Sequence, residues 1–548
     1  MEDSLSSLVQ TWLDWDQDPT TRLEMETLRA SDDTDELEKR LRRRIDFGTA
    51  GLRGRMAAGF SCMNCLTVIQ ASQGLAKYIR TRHPEIAAAG VVIGHDARHN
   101  SAKFASLAAN AFLNERIPVW HYQEESPTPL VPFGIGHFKA AAGIMVTASH
   151  NPAEDNGYKV YFNNGAQINT PMDMEIAQSI RENLKPRETA WAINDIVPTG
   201  LYQQVLSDYI SQVSKYAEKP DPDFPTVKFP NPEEAGALDL AMQTADQGEM
   251  TLIIANDPDA DRFAVAEKVD GKWFTLTGNH VGVLLASHIF DSIEATQDPS
   301  RTAVLTTAVS SGMIQKMAAA RGVHFVETLT GFKWMGNVAR KLEEDGYTVP
   351  FAYEEALGYM FPSVCYDKDG ITAAMVFLAA EAKWRAQGLT VHAKLQQLFS
   401  EFGHHETLNN YFRSPNSELT MQLFRGIRGG RHLAERKFGS FQILRWRDLT
   451  EGYDSETPDN KPDLPVDSSS QMLTLWLNGG VRFTIRGSGT EPKVKVYIES
   501  CGSSREEAVK AVCDIWLTVM TEWIQPFTPS MTCSKELPTS SGHILNIN

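Results

Sequence analysis

Three aspartates at alternate positions, Asp257, Asp259 and Asp261, lie in the run Asn256-Asp257-Pro258-Asp259-Ala260-Asp261-Arg262. In an extended segment, residues two apart share a face, so three carboxylates can point at one place. Oxygen-only ligands suit a hard cation such as Mg²⁺. A calcium EF-hand needs Gly at its sixth position and Glu at its twelfth; here those are Arg262 and Lys268, which excludes it. A solvated acidic turn is the plain alternative. It would leave three close carboxylates repelling one another, so the spacing favours a metal.

Ser149 is a second candidate, in Thr147-Ala148-Ser149-His150-Asn151-Pro152. It follows an uncharged apolar run, Ala141 to Val146, which reads as a buried strand of a parallel sheet. The strand must end where polar residues begin. That puts Ser149 on a loop at the C-terminal edge of the sheet, where open α/β sheets bind ligands. A serine hydroxyl there is small enough to accept a phosphoryl group. Taken alone, the same residues also compose a polar turn.

A third stretch, Arg486-Gly487-Ser488-Gly489-Thr490-Glu491-Pro492-Lys493, lies between strand-like segments. Arg486, the hydroxyls of Ser488 and Thr490, and N–H groups freed by glycine make a phosphate cradle, to which Lys495 adds charge. A tight hairpin turn is the competing reading. The Walker A spacing is absent, and so is the G-x-S-x-G elbow at Ser149 and Ser488. Arg53 stands among the glycines of Phe47-Gly48-Thr49-Ala50-Gly51-Leu52-Arg53-Gly54, a setting that brings backbone and guanidinium close to an anion. The stretches 328–334, with Thr330, and 353–358, with Glu354 and Ala356, follow strands and could hold sugar hydroxyls. Each of these last three, by itself, reads as an ordinary loop.

The elements that must position these residues alternate. Residues 4–44 are predicted helical, with Asp33 and Glu36 marking a helix start and the basic run 39–44 its dipole-favoured end. A helix follows over 66–80, a strand over 91–94 and a helix over 101–114; further strand-and-helix alternation begins near 252 and near 304. Residues 449–471 read as a long surface loop, 472–500 as antiparallel strands, and Ser504 with Glu507 as the cap of a helix ending near Trp523. The Ser-, Thr- and Pro-rich tail after Gln525 is predicted to be disordered.

With 548 residues, 42% hydrophobic and 22% charged, the chain has the composition of a soluble protein of several domains. A net charge of −17 argues against general nucleic-acid binding, though not against anion binding in one cleft. No apolar run spans a bilayer. An acidic Met1-Glu2-Asp3 start and six cysteines without a framework fit a cytoplasmic setting. Cys62 and Cys65 form a lone C-x-x-C with no second pair at zinc spacing.

Taken together and in this order, GTAGLRG, TASHNP, DPDADR, TGFKWMG, EEALGYM and RGSGTEPK resemble the α-D-phosphohexomutase family, over about residues 40 to 500. In detail they look most like the branch holding phosphopentomutase and glucose-1,6-bisphosphate synthase. The resemblance implies three successive α/β domains with mixed, largely parallel sheets and a C-terminal α+β domain around a cleft. On this sequence they would be 1–205, 206–300, 301–405 and 406–525, then the tail 526–548. It implies phosphoryl transfer through phospho-Ser149 on a ribose, deoxyribose or glucose monophosphate, by way of a sugar bisphosphate that also acts as activator. Asp257, Asp259, Asp261 and a phosphoserine oxygen of Ser149 would hold Mg²⁺. Lys159 and Lys368 match general acid and base positions. His150 and Arg262 match substrate-binding positions beside the serine and the metal loop. Arg486, Ser488, Gly489 and Thr490 match the loop for the non-reacting phosphate. Small-molecule sugar phosphates would be the partners, with neither nucleic acid nor membrane, and the chain a monomer.

Two departures stand out. The family's sugar loop usually reads Glu-x-Ser; here it is Glu354-Glu355-Ala356, which weakens strict hexose specificity and favours pentose phosphate. Second, Tyr209 to Val213 runs almost directly into Lys219-Pro220, with nothing matching the βαβ unit that opens the family's second domain. That second domain is expected to be shortened. A synthase using an outside phosphoryl donor, or an impaired sugar-phosphate binder, are the alternative readings.

Overall fold

The computed structural model describes residues 4–31, 33–49, 51–192, 223–224, 227, 229–296, 298–488 and 493–547. The expected gap after Val213 lies outside the described residues.

The first sheet has strands β1 (Leu52–Arg55), β2 (Val91–His95), β3 (Val119–His121), β4 (Ala142–Val146) and β5 (Asp155–Phe162), in the order β1-β5-β4-β2-β3. Its centre is parallel, β2 pairing with β3 and with β4, while β5 runs antiparallel to β4 and β1. Strands β2 and β4 are buried at every residue, because helices cover both faces. Val91, Ile93, Ile144 and Val146 share a core with helices Cys65–Arg82 and Ser101–Asn114. Val92 and Met145 face the other way, onto helix Leu130–Phe138. The same alternation runs along β5: Tyr158 and Val160 enter the first core and Tyr161 the second. Lys159 lies opposite Met145 in register and shares that second face.

Before this sheet come three helices, Leu5–Trp15, Pro19–Ala30 and Thr34–Leu41. Asp33 caps the last of them, accepting from the Glu36 N–H at 3.2 Å. Next along the chain are β6 (Leu252–Ala255), β7 (Ala264–Val269) and β8 (Lys272–Thr275), with β7 and β8 an antiparallel hairpin. Then β9 (Thr302–Thr307), β10 (His324–Thr328), β11 (Thr348–Glu354) and β12 (Gly358–Met360) alternate with helices Met313–Ala320, Phe332–Glu344 and Gly370–Ala386. Strands β9 and β10 are parallel.

The C-terminal part is an antiparallel sheet of β13 (His404–Arg413), β14 (Lys437–Phe438), β15 (Phe441–Asp448), β16 (Tyr453–Asp454), β17 (Met472–Leu477), β18 (Val481–Gly487) and β19 (Lys493–Gly502). Its order is β13-β19-β18-β17-β15-β14, with β16 on β15. Helix Arg505–Val519 packs on it, capped by Ser504, and passes into a short π-helical turn ending at Ile524.

The tail departs from the sequence expectation. Its residues Glu536–Pro538 and Ile544–Asn546 pair as a small hairpin. Met531 and Leu537 are buried in the C-terminal core. Ser540 and Ser541 bond Glu406 on β13, at 3.0 and 2.7 Å, which fixes the segment.

The chain divides into two compact units: Met1–Val265, Gly331–Ala352 and Ala356–Val376 form one, and Ala266–Thr330, Tyr353–Glu355 and Phe377–Asn548 the other.

Candidate active site

In the first unit, Ser149 stands just beyond the C-terminal end of β4, where a parallel sheet leaves room for a ligand. It adopts a left-handed backbone, φ 55°, uncommon for any residue but glycine. Its N–H donates to Thr147 Oγ1 at 2.8 Å. The loop is clamped from outside by Arg98, which follows β2 on the same sheet edge. The Arg98 guanidinium donates to the carbonyls of Ser149, Asn151 (2.7 Å) and Pro152 (2.8 Å). Asp96 holds the guanidinium in place at 3.2 Å. Gly157 on β5 allows the loop to approach, for a Cβ there would stand 2.4 Å from the Thr147 carbonyl oxygen.

Beyond β6, the three aspartates are all buried, and one oxygen of each lies within 4.8 Å of the other two. Lys159 Nζ bonds Asp259 and Asp261, both at 2.8 Å. Lys368 Nζ bonds Asp261 at 2.9 Å. Thr128 Oγ1 donates to Asp259 at 2.6 Å, and the Arg262 N–H to Asp257 at 3.0 Å. That leaves Asp257 Oδ2, Asp259 Oδ1 and Asp261 Oδ1 buried with no hydrogen-bond partner among the described residues. Buried carboxylate oxygens without donors are costly unless a cation completes them. A cluster of hard oxygens therefore fits a divalent metal, and no other group of three or more metal-capable side chains occurs among the described residues.

The electrostatics agree. Burial, then Asp259 and Asp261 beside it, push Asp257 well above the usual carboxylate range. Against the cost of burial, Lys159 by charge and hydrogen bond, and then Lys368, hold Asp259 well below that range. His150 is driven well below the ordinary imidazole value by burial and then by Arg262 and Arg53. It is therefore a neutral ring at pH 7. Its Nε2 lies 3.4 Å from Arg262 Nη2, and its Nδ1 is buried with no partner among the described residues. Arg53 is exposed at the rim, with Nη1 3.4 Å from Asn151 Oδ1.

Lys368 reaches this cluster through the tight packing of Lys368-Asp369-Gly370. A Cβ on Gly370 would stand 2.2 Å from the Arg262 carbonyl oxygen and 2.5 Å from Asn256 Nδ2. Only glycine lets the metal loop and the lysine-bearing loop meet so closely. The first unit thus gathers Ser149, His150, Lys159, the three aspartates, Arg262, Lys368 and Arg53. Ala356 also belongs to it, one residue before Leu357, whose carbonyl accepts from the Phe263 N–H at 3.1 Å.

The second unit holds the rest. Arg486 and Lys495 are directly opposed across β18 and β19. Like charges so placed repel, and an anion between them would relieve this. Arg486 Nη2 donates to Tyr497 at 3.1 Å, while its Nε is buried with no partner among the described residues. The Ser488 N–H is taken by the Lys493 carbonyl at 2.9 Å; Gly489 and Thr490 lie outside the described residues. Glu354 ends β11, and its neighbour Glu355 accepts from Thr307 (3.2 Å) and Ser310 (3.1 Å). Thr330 is half-buried before Gly331.

Sequence reasoning missed Arg98 and Thr128. Arg98 had a usable signal, being an arginine on a loop at the same sheet edge as Ser149. Thr128 is recruited only by folding, through Asp259, 131 residues away.

Four domain models of the phosphoglucomutase/phosphomannomutase family match the chain. These are alpha/beta/alpha domain I over residues 44–187, domain II over 196–271, domain III over 277–402 and the C-terminal domain over 470–514. A phosphoribomutase of Saccharomyces cerevisiae is 41% identical over 95% of this chain and 97% of its own. A glucose 1,6-bisphosphate synthase of Homo sapiens is 36% identical, over 91% of this chain and 90% of its own. The open form of pp63/parafusin, a phosphoglucomutase from Paramecium, has the same fold: TM-score 0.62 at 17% identity, over 89% of this chain and 97% of that one. With all four domain models matched in order and relatives this similar along nearly its whole length, the chain is an enzyme of the phosphoglucomutase/phosphomannomutase family, the α-D-phosphohexomutases, which move a phosphoryl group within a sugar phosphate.

Proposed function

We propose that the chain interconverts the 1-phosphate and 5-phosphate of ribose or deoxyribose, and less efficiently the corresponding glucose phosphates, through a phosphoryl group carried on Ser149. The observation that carries this reading is the buried carboxylate cluster with three oxygens lacking donors, bonded by Lys159 and Lys368 and joined to the Ser149 loop through His150 and Arg262. Asp257, Asp259 and Asp261 would hold Mg²⁺, whose charge offsets that of the transferring phosphoryl group. Arg98 fixes the backbone of the Ser149 loop, so the hydroxyl is aimed before substrate arrives. Lys159 and Lys368 each place an Nζ donor on the carboxylates. Either can supply a proton from Nζ to a departing sugar oxygen and take it back in the reverse half-reaction. Neutral His150 and the Arg53 and Arg262 guanidiniums line the reacting end. On the second unit, Arg486 and Lys495 offer positive charge suited to a phosphate.

The pentose preference rests on Ala356, which offers no side-chain partner to a hexose hydroxyl, and on the similarity to a phosphoribomutase. Six free cysteines fit a reducing compartment such as the cytoplasm. The test is Ser149→Ala. It is expected to abolish covalent phosphate on the protein and to lower kcat at least about 10³-fold, the scale on which removing a nucleophile acts, with an unchanged melting temperature. Normal turnover by that variant would overturn the assignment. The similarity to a glucose 1,6-bisphosphate synthase supports a second reading, a synthase. A requirement for 1,3-bisphosphoglycerate as donor, with no mutase turnover in its absence, would select it.

A further inference from the structure

On β19 of the second unit, Glu499 and Cys501 are two residues apart and so share a face. Cys501 lies opposite His405 of β13 in register. His405 Nδ1 is 3.0 Å from Glu499 Oε1, while its Nε2 is buried with no partner oxygen or nitrogen, on the ring edge away from the carboxylate. From helix Met313–Ala320, Lys316 Nζ reaches the Cys501 sulfur at 2.8 Å. Glu499 is itself fixed, accepting from the Ser311 hydroxyl, from the Gly312 N–H at 2.9 Å and from Arg482 at 3.2 Å. The imidazole is thus oriented by a carboxylate and belongs to the residue directly across the strand pair from a cysteine whose sulfur has the Lys316 side chain beside it. Gly403 leaves the space: a Cβ there would stand 2.7 Å from the sulfur. Cys501 is partly exposed, so a small reagent can reach it.

We propose that Cys501 is a site of reversible thiol oxidation by hydroperoxides, with Lys316 and His405 supplying the positive charge around its sulfur. The thiol gives its proton to His405 and the sulfur attacks one oxygen of hydrogen peroxide; an S–O bond forms as the O–O bond breaks. Sulfur is oxidised by two electrons and the peroxide reduced. The departing hydroxide takes a proton from His405 Nε2 and leaves as water. A low-molecular-weight thiol then displaces the hydroxyl as water, giving a mixed disulfide. A second such thiol releases the Cys501 thiol and carries away its own disulfide.

The charges that face the sulfur agree with this. His405, against some burial, and then Lys316 pull the Cys501 thiol down to about 7. Burial opposes charge on His405, but Cys501 and Glu499 beside it push it up to about 9. Glu499 is the carboxylate paired with His405, and Arg482 is its other charged partner. Elsewhere burial raises the thiols of Cys62 and Cys533, which are also partly exposed and serve as internal controls.

The experiment treats the full chain with hydrogen peroxide at pH 6 in the presence of a cyclic 1,3-dione that traps sulfenic acids, and counts adducts at each cysteine by peptide mass spectrometry. Cys501 is expected to be trapped at least about tenfold faster than Cys62 or Cys533. Lys316 is exposed, so Lys316→Ala should fold normally and slow Cys501 alone; His405→Gln should slow it too, keeping a hydrogen bond to Glu499. Trapping at Cys501 no faster than at the two controls would overturn the proposal, as would a rate unchanged in Lys316→Ala.

Discussion

Asp257 is held beside two further carboxylates, and the charge and N–H of Arg262 only partly offset their effect. A group whose folded-state pKa is raised stabilises the fold fully below its unfolded value, near pH 4 for aspartate, and that contribution is lost as pH climbs toward the folded value. Asp259 has the opposite sign: its stabilisation is present above the unfolded value and fades only in stronger acid, so it is constant over this window. The metal-free chain should therefore lose thermal stability between pH 5 and pH 8. Mg²⁺ should raise its melting temperature by a few degrees at pH 8 and by less at pH 5, because it neutralises the charges that ionisation creates. Asp257→Asn, also metal-free, should melt higher than the parent at pH 8 and gain little from Mg²⁺. Unfolding curves in chelator and in Mg²⁺ decide this; equal Mg²⁺ shifts at both pH values and in the variant would contradict it. Chelation should also stop turnover, with Mg²⁺ restoring it. The aspartate spacing was legible in the sequence because it is local. The ion pairs of Lys159 were not, since they join positions 100 and 102 residues apart.

Strands and helices were the most legible elements, and for a physical reason. Helix Ser101–Asn114 and strands β2, β4 and β6 carry apolar runs whose period and length state their own conformation. Loops and the tail take their shape from distant partners. The Ser149 loop is the example: one arginine, 51 residues upstream of Ser149, holds it by three carbonyls. A guanidinium has five N–H donors in a fixed fork, which an ammonium lacks. Arg98→Lys should therefore keep the charge facing Asp96 but lose several of these bonds. The expected result is a kcat about 100-fold lower, the scale on which a misplaced reacting group acts, with KM changed far less. Full kcat in the variant would mean that the loop holds its own shape. The tail was misread on composition, since Ser, Thr and Pro say nothing about Glu406 on β13, 134 residues from Ser540. Leu537 is fully buried there. Leu537→Ala should cost about 2–4 kcal/mol, as for other buried leucines, and lower the melting temperature of the transition reported by the C-terminal tryptophans. A disordered tail would tolerate the change without effect.

At the scale of the whole chain, four family segments follow one another, and the second is the shortest of the three α/β segments, 196–271 against 44–187 and 277–402. The alignment with the yeast phosphoribomutase extends over 604 positions, more than the 548 residues of this chain, so that relative carries residues with no counterpart here. The abrupt passage from Val213 to Pro220 is where the sequence offers room for such a loss. A βαβ unit takes roughly 30 residues or more, and the stretch between those two positions cannot hold one. Strands that pair with such a unit would have N–H and C=O groups left over, and apolar side chains beneath its crossover helix would lose cover. The metal loop after β6 follows in the same family segment, so any loosening there bears on catalysis first. We therefore expect a form with the unit restored after Val213, taken from the yeast relative, to melt several degrees higher and to turn over pentose phosphate faster than the present chain. The measurement is paired: thermal unfolding and a coupled mutase assay on both forms, in the same Mg²⁺ concentration. A higher melting temperature with an equal rate would confine the effect to stability. Equal melting temperature and equal rate would show that the shortened segment is complete as it stands.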